Sequence, residues 1–392
     1  MIESWRWYGP LDTITLPEVA QTRASGIVTA LHEIPYGEVW TVNDIRARQA
    51  LIGKRPDLGL NWIVTESLPV HENIKRGSGD LGRVFGNYRQ SLRNLAECGV
   101  MAVCYNFMPL LDWTRTQLDV PVPGGGTALQ FSAPHMAAFE IHILGRKNAE
   151  NDYTPDVCAA GEKWFSSSTQ EDRSKLLASI MAGLPGAYTR YSIDGLQKAL
   201  GKYQGISRAD LRANFARFLA EVIPTADELG MRMCVHPDDP PRDILGLPRV
   251  VSNEEDIAWI LAQQDCLANG LTLCSGSLGA NPENDLPAIA RQFADRIHFA
   301  HLRNVKREPD GSFQEVAHLN GDTDMVELVK VLLNEEARRL MVGRMDADIP
   351  FRPDHGHELL DDFKRQAFPG YHLTGRMCGL AELRGVIAAL RH

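Results

Sequence analysis

Four residues of metal-binding type, His236, Cys274, His301 and Asp354, come from four successive segments in the second half of the chain, each closing or just following a short apolar run. Imidazole nitrogen, thiolate sulfur and carboxylate oxygen are the donors proteins offer to divalent cations, so these side chains could share one ion. Polar residues close the other runs too: His32-Glu33, Glu66 with His71 beyond it, Asn106, and His355-Gly356-His357 after Asp354. Of these, His32, His71 and Asn106, together with Arg303, are candidates for contacting a substrate. Side chains alternate along a strand, so in Ile297-His298-Phe299-Ala300-His301-Leu302-Arg303 residues 301 and 303 share a face and His298 looks away. Cys234 shares a face with His236 and is either a deeper inward residue or a second candidate ligand. Asp354 and His355 are neighbours and point apart in a regular strand. Both reach one site only where the strand has already ended, and Gly356 makes a turn there plausible.

The elements that must position these residues are seven β-rich apolar runs, at 26–31, 61–66, 100–105, 231–236, 271–274, 297–301 and 349–352. Amphipathic stretches lie between them, at 91–98, 207–229, 253–268 and 324–339, with Ser207 as an N-cap and Gly230 as a stop. Strand-then-helix units with no linker to divide them predict a single α/β domain over 1–392, a (β/α)8 TIM barrel with helical insertions, one of them at 150–206. The eighth strand is not evident and is sought between Ala128 and Leu144. A barrel of this kind builds its site at the carboxyl ends of its strands, which is where the polar residues above fall.

Composition narrows the function classes. Among 392 residues, 41 Lys and Arg face 50 Asp and Glu, a formal charge of −9 with no basic run, which argues against nucleic-acid binding. No apolar run approaches the roughly 18–20 residues of a membrane span, and the first ten residues lack a signal-peptide core, so a cytoplasmic protein is expected. Seven irregularly spaced cysteines suit a reducing compartment. Gly77-x-Gly79-x-x-Gly82 matches the dinucleotide fingerprint formally but does not link a strand to a helix. Trp5, Trp7 and Tyr8 could cover a sugar face or plug the barrel. Serine-hydrolase, P-loop and zincin motifs are absent.

Longer motifs extend this reading. Trp5-Arg-Trp-Tyr-Gly-Pro10, Cys104-Tyr-Asn-Phe-Met-Pro109, Leu111-Asp-Trp-Thr-Arg115, His236-Pro-Asp-Asp-Pro-Pro241, Ala317-His-Leu-Asn-Gly-Asp322 and Arg352-Pro-Asp-His-Gly-His357 closely resemble the D-mannonate dehydratase family of the hexuronate pathway. The resemblance runs to Gly379-Leu-Ala-Glu-Leu-Arg384 and covers essentially the whole chain. It implies a xylose-isomerase-like barrel and dehydration of D-mannonate to 2-dehydro-3-deoxy-D-gluconate with a divalent metal, usually Mn2+ or Fe2+. It also implies that His236, Cys274, His301 and Asp354 are the ligands and that His355 and Tyr371 form the acid/base pair. A thiolate-containing set would by itself suggest Zn2+, which the resemblance makes less favoured.

The chemistry asks for these parts. The C2 hydrogen of a sugar acid is weakly acidic because the adjacent carboxylate is already anionic, so its removal builds a second negative charge that a cation could stabilise. Arg303 is placed to help hold the carboxylate. A base must take the C2 proton and an acid must protonate the departing C3 hydroxyl, roles the sequence does not divide between His355 and Tyr371. The alternative is a metal-dependent sugar isomerase or epimerase on the same barrel, which moves the C2 proton but keeps the hydroxyl. A homo-oligomer is expected by analogy with other barrels.

Overall fold

The computed structural model describes residues 1–183 and 191–391. Eight parallel strands close into a barrel: β1 (Ile2–Arg6), β2 (Gly26–Thr29), β3 (Asn61–Glu66), β4 (Ala102–Tyr105), β7 (Arg232–Val235), β8 (Asn269–Cys274), β9 (Ile297–His301) and β12 (Pro350–Arg352). The remaining four, β5 (Gln117–Pro121), β6 (Thr127–Phe131), β10 (Asn304–Arg307) and β11 (Phe313–Val316), form a separate antiparallel sheet in the order β10-β11-β6-β5. The eighth barrel strand is therefore the first element of the chain and does not lie between Ala128 and Leu144. That region supplies β6 and then the helix Ala133–Ala138. The apolar-run criterion passes over β1 because its inward positions are polar. Ser4 is buried and donates to the Phe351 carbonyl across the barrel seam at 2.7 Å, while Arg6 turns toward the barrel mouth.

Inside the barrel Val28, Val64, Cys104, Cys234 and Phe299 pack as one apolar layer, so Cys234 is the deeper inward residue. Trp5 alternates to the outside, into the core between strands and helices, with the Arg376 guanidinium 3.9 Å from its ring centre. Helices cover the barrel as the local signals dictate. Ser207 forms a capping box with Asp210 ahead of Arg208–Glu228, and Gly230 takes φ 70° just past its end. Asn253 caps Glu254–Gln263, and Asp324 caps Met325–Met341. Gly77 is the left-handed C-cap of Glu72–Arg76, and Gly82 lies in the first turn of Leu81–Glu97, so the glycine triplet serves helix ends. The stretch expected to be a helical insertion contains Pro155–Ser167, Gln170–Ile180 and Ile193–Gly201; its residues 184–190 lie outside the described residues. These helices share a second apolar core with Phe131 and Phe313 of the antiparallel sheet, whose rings stack 5.5 Å apart. None of the seven cysteines is in a disulfide, and among the described residues no helix is long and apolar enough to cross a membrane.

Register sets the ligand-type residues at one level. Cys274 pairs with His301 between β8 and β9, and Arg352 pairs with His301 between β12 and β9. Beyond β12 the chain turns at once: Asp354 adopts φ 62°, a left-handed conformation that a non-glycine residue holds only under surrounding constraint. That turn lets Asp354 and His355 reach the same pocket. The residue expected to make the turn, Gly356, has a different task. A Cβ there would sit 2.3 Å from the Arg376 nitrogen and 2.4 Å from the Gly375 carbonyl carbon, so glycine is needed where the loop crosses the last helix. Because both obstacles are backbone, Gly356→Ala is expected to cost on the order of 3 kcal/mol. A urea unfolding midpoint equal to that of the wild type would show that the crossing relaxes freely.

Candidate metal centre and active site

His236 follows β7 directly, and its Nδ1 lies 2.7 Å from the Pro237 carbonyl. A carbonyl only accepts, so Nδ1 carries the proton and Nε2 presents its lone pair. That lone pair faces His301 Nδ1 at 3.1 Å, while His301 Nε2 faces Glu66 Oε2 at 3.4 Å. With the His301 proton toward the Glu66 carboxylate, two imidazole lone pairs confront each other across 3.1 Å. Two nitrogens each about 2.0–2.1 Å from one cation are about 2.9–3.4 Å apart, so a shared ion relieves this opposition. Cys274 completes a group whose ligand atoms all lie within 4.8 Å of one another. Its sulfur is 3.1 Å from Ser277 Oγ and 3.6 Å from Asp354 Oδ2, and Asp354 Oδ1 is 3.9 Å from His301 Nδ1. The donor set fits a divalent cation: His236, Cys274 and His301 form one cluster and Asp354 borders it.

Asp354 is itself gripped by Arg352 and Arg303. Around it lies a buried ionic network. Arg303 meets Asp239, Glu315 and Asp354; Arg115 meets Asp239 and Glu315; Arg352 meets Glu66 at 2.8 Å. Burial alone raises a carboxylate's pKa, yet the fields of Arg352, His301 and Arg6 outweigh it and hold Glu66 well below its ordinary value. Burial likewise opposes, and Arg303, His355 and Arg115 overcome, so that Glu315 is lowered to about 2. Asp239 and Asp354 are lowered by the same balance of burial against neighbouring cations. A depressed carboxylate contributes stability that is full above the unfolded value of about 4.5 and is lost as pH falls through the folded one. Acid lability is therefore expected between about pH 4.5 and 2, the Glu315 window. Urea midpoints measured from pH 6 to pH 3 should drop steeply below 4.5, and a flat profile would contradict the network's ionisation.

His355 and Tyr371 are both buried and stand together, with His355 Nε2 3.3 Å from the Tyr371 hydroxyl. Gly370, at φ 80°, lets the chain pass so close to the His355 ring that a Cβ would lie 3.1 Å from it. Burial pushes the Tyr371 phenol up to about 12, so it holds its proton at neutral pH. Both residues line one pocket together with Asn106, Trp113, His236 and Arg303.

The other residues singled out from the sequence fall in different places. Asn106 lines this pocket and donates to Asp112 at 3.0 Å. His32 stands behind it, 3.1 Å from Arg6, and burial beside Arg6 and Arg48 keeps it neutral. His71 is elsewhere, because β3 ends at Glu66 and the chain runs five residues further before the His71 ring caps the helix Glu72–Arg76. His298 points away from the pocket, as strand alternation requires, with Asp346 beside it. Residues that sequence reasoning passed over are Asp239, Glu315, Arg115 and Arg352. Asp239, Arg115 and Arg352 lie inside the motifs quoted above without a role assigned to them, whereas Glu315 lies on β11 with no local signal.

A closed parallel barrel with a cation-type triad at its strand ends and a buried His–Tyr pair beside it has the architecture of a barrel enzyme. Comparison with known proteins gives the class its particular form. The chain belongs to the family described as D-mannonate dehydratase (UxuA), whose model matches residues 1–392. It is 51% identical over 392 residues to a mannonate dehydratase of Chromohalobacter salexigens and 48% identical to one of Marinomonas sp., in each case covering 100% of this chain and 99% of the relative. Among solved structures, the mannonate dehydratase of Streptococcus suis serotype 2 superposes with a TM-score of 0.76 at 34% identity, over 100% of this chain and 93% of that one. The family is one of hydro-lyases, which decides against the isomerase or epimerase that the same scaffold could serve.

Proposed function

We propose that this enzyme eliminates water from D-mannonate, giving 2-dehydro-3-deoxy-D-gluconate, with His236, Cys274, His301 and Asp354 holding a divalent cation and His355 and Tyr371 moving the protons. The observation that carries the reading is that His236, one member of the His236–Cys274–His301 cluster, lines the same pocket as Asp354, His355 and Tyr371. When bound, the cation supplies Lewis-acid stabilisation of the second negative charge that builds as the C2 proton leaves. Mn2+ or Fe2+ is the proposed ion; the thiolate alone would suit Zn2+. Tyr371, kept protonated by burial, is the acid that delivers a proton to the C3 hydroxyl. His355, with its Nε2 toward the pocket, is the base for C2. Arg303 and Asn106 border the space a sugar acid would fill, and Arg303 suits its carboxylate. The all-thiol cysteines support a reducing, cytoplasmic setting.

Turnover in D2O tests the reading. Loss of C2–H and of the C3 hydroxyl leaves an enol, which becomes the 2-keto acid by taking one solvent hydron at C3. A product with one deuterium at C3 is expected. A product that retains the C3 hydroxyl would overturn the elimination.

A further inference from the structure

Glu315 reaches the site from the antiparallel sheet, through β11, and not from a barrel strand. Its two carboxylate oxygens lie 2.9 and 3.0 Å from His355 Nδ1, and Oε1 also accepts from Arg303 and Arg115 at 2.8 Å each. The arginines do not depend on it. Arg115 holds Asp239 through two hydrogen bonds, at 2.7 and 3.0 Å, and Arg303 holds Asp239 and Asp354. His355 Nδ1 does depend on it, since no other hydrogen-bond partner for that atom occurs among the described residues. A carboxylate accepts only, so the Nδ1 proton points at Glu315 and the Nε2 lone pair is turned toward Tyr371 and the pocket.

We infer that Glu315 is a positioning residue for the elimination: it selects the tautomer and ring orientation of His355 that can accept the C2 proton, and its charge balances the imidazolium that results. The inference rests on the acid/base assignment above. The protons balance. The C2 proton passes to His355 Nε2, and the electron pair left behind forms the C2–C3 double bond. The C3–O bond breaks as Tyr371 gives its proton to the leaving oxygen, which departs as water. His355 then returns its proton to the Tyr371 oxygen across their 3.3 Å contact, resetting both residues. A neutral amide in place of Glu315 can offer its NH2 to Nδ1, which stabilises the opposite tautomer and buries the Nε2 lone pair's role.

The test compares Glu315→Gln, Glu315→Asp and His355→Asn as metal-loaded enzymes, measuring kcat, KM for D-mannonate and metal per chain. Glu315→Gln is expected to lower kcat by on the order of 10²–10⁴-fold with KM within about threefold and metal content unchanged, and Glu315→Asp to recover at least about tenfold of that loss. A purely structural role would instead raise KM or release metal in step with kcat, without rescue by aspartate, and would overturn the inference. Should the glutamine variant not fold, Glu315→Ala takes its place: a lower kcat at unchanged KM and metal content supports the inference, and wild-type kcat rejects it. An inactive His355→Asn beside a Glu315→Gln that turns over within threefold of wild type would sink the Glu315 role alone. A His355→Asn that remains active would sink the acid/base reading beneath it.

Discussion

Tyr371→Phe and His355→Asn are expected to lower kcat by on the order of 10³-fold or more while each variant still binds its metal and keeps KM for D-mannonate within a few-fold of wild type. Phenylalanine fills the same volume and keeps the contacts of the Tyr371 ring with Tyr8 and His355, whose centres lie 5.0 and 4.9 Å away. Only the hydroxyl that would protonate the leaving oxygen is gone. Asparagine at 355 keeps a polar donor beside Glu315 but has no group able to take the C2 proton. Because the His355 and Tyr371 side chains touch, their effects should not add, and the double variant should lose little more than the worse single one. Steady-state kinetics alongside metal analysis checks this. Near-normal turnover in either single variant, with metal bound, would mean that the proton-transferring groups lie elsewhere.

Cys274→Ala is expected to empty the centre. The sulfur is fully buried at the end of β8, and it is one of three donors within 4.8 Å of each other, with Asp354 at the border. Removing it takes away one ligand and the negative charge that a thiolate would contribute. Bound metal should fall from about one ion per chain to less than a tenth, and activity by on the order of 10³-fold. Folding should survive, because Cys274 contributes no backbone strain and little apolar area. Metal content by elemental analysis on dialysed protein is the direct reading. A full complement of metal in this variant would remove the sulfur from the ligand set. Cys234 is the control: it lies in the apolar layer inside the barrel, so Cys234→Ala should leave metal content unchanged.

Much of this site is legible in the amino-acid sequence, for a definite reason. His236, Cys274 and His301 each close a strand, and a barrel turns strand ends that are distant in sequence into neighbours, so residue type plus alternation was enough. The same alternation separated His301 from His298 and made Cys234 an inward residue. What escaped the sequence escaped it where a rule met a functional exception. β1 was hidden because Ser4 and Arg6 occupy inward positions where a doubly covered strand is ordinarily apolar. The sequence points to a turn after β12, but its left-handed residue is Asp354 and not the glycine two positions on. His71 follows a strand too, yet the loop 67–70 carries it to a helix N-terminus. Glu315 was illegible because it arrives from a second sheet, and no local pattern on β11 announces which distant imidazole it will meet.

The measurement that bears most directly on the whole account is metal restoration on the unaltered enzyme. The protein is stripped with chelator, Mn2+, Fe2+ or Zn2+ is returned separately, and each form is assayed with D-mannonate for a 2-keto-3-deoxy acid. No product is expected from the stripped enzyme, and product formation should return with Mn2+ or Fe2+ ahead of Zn2+. Undiminished product formation by folded, metal-free enzyme would contradict this, since the clustered His236, Cys274 and His301 would then have no part in the reaction.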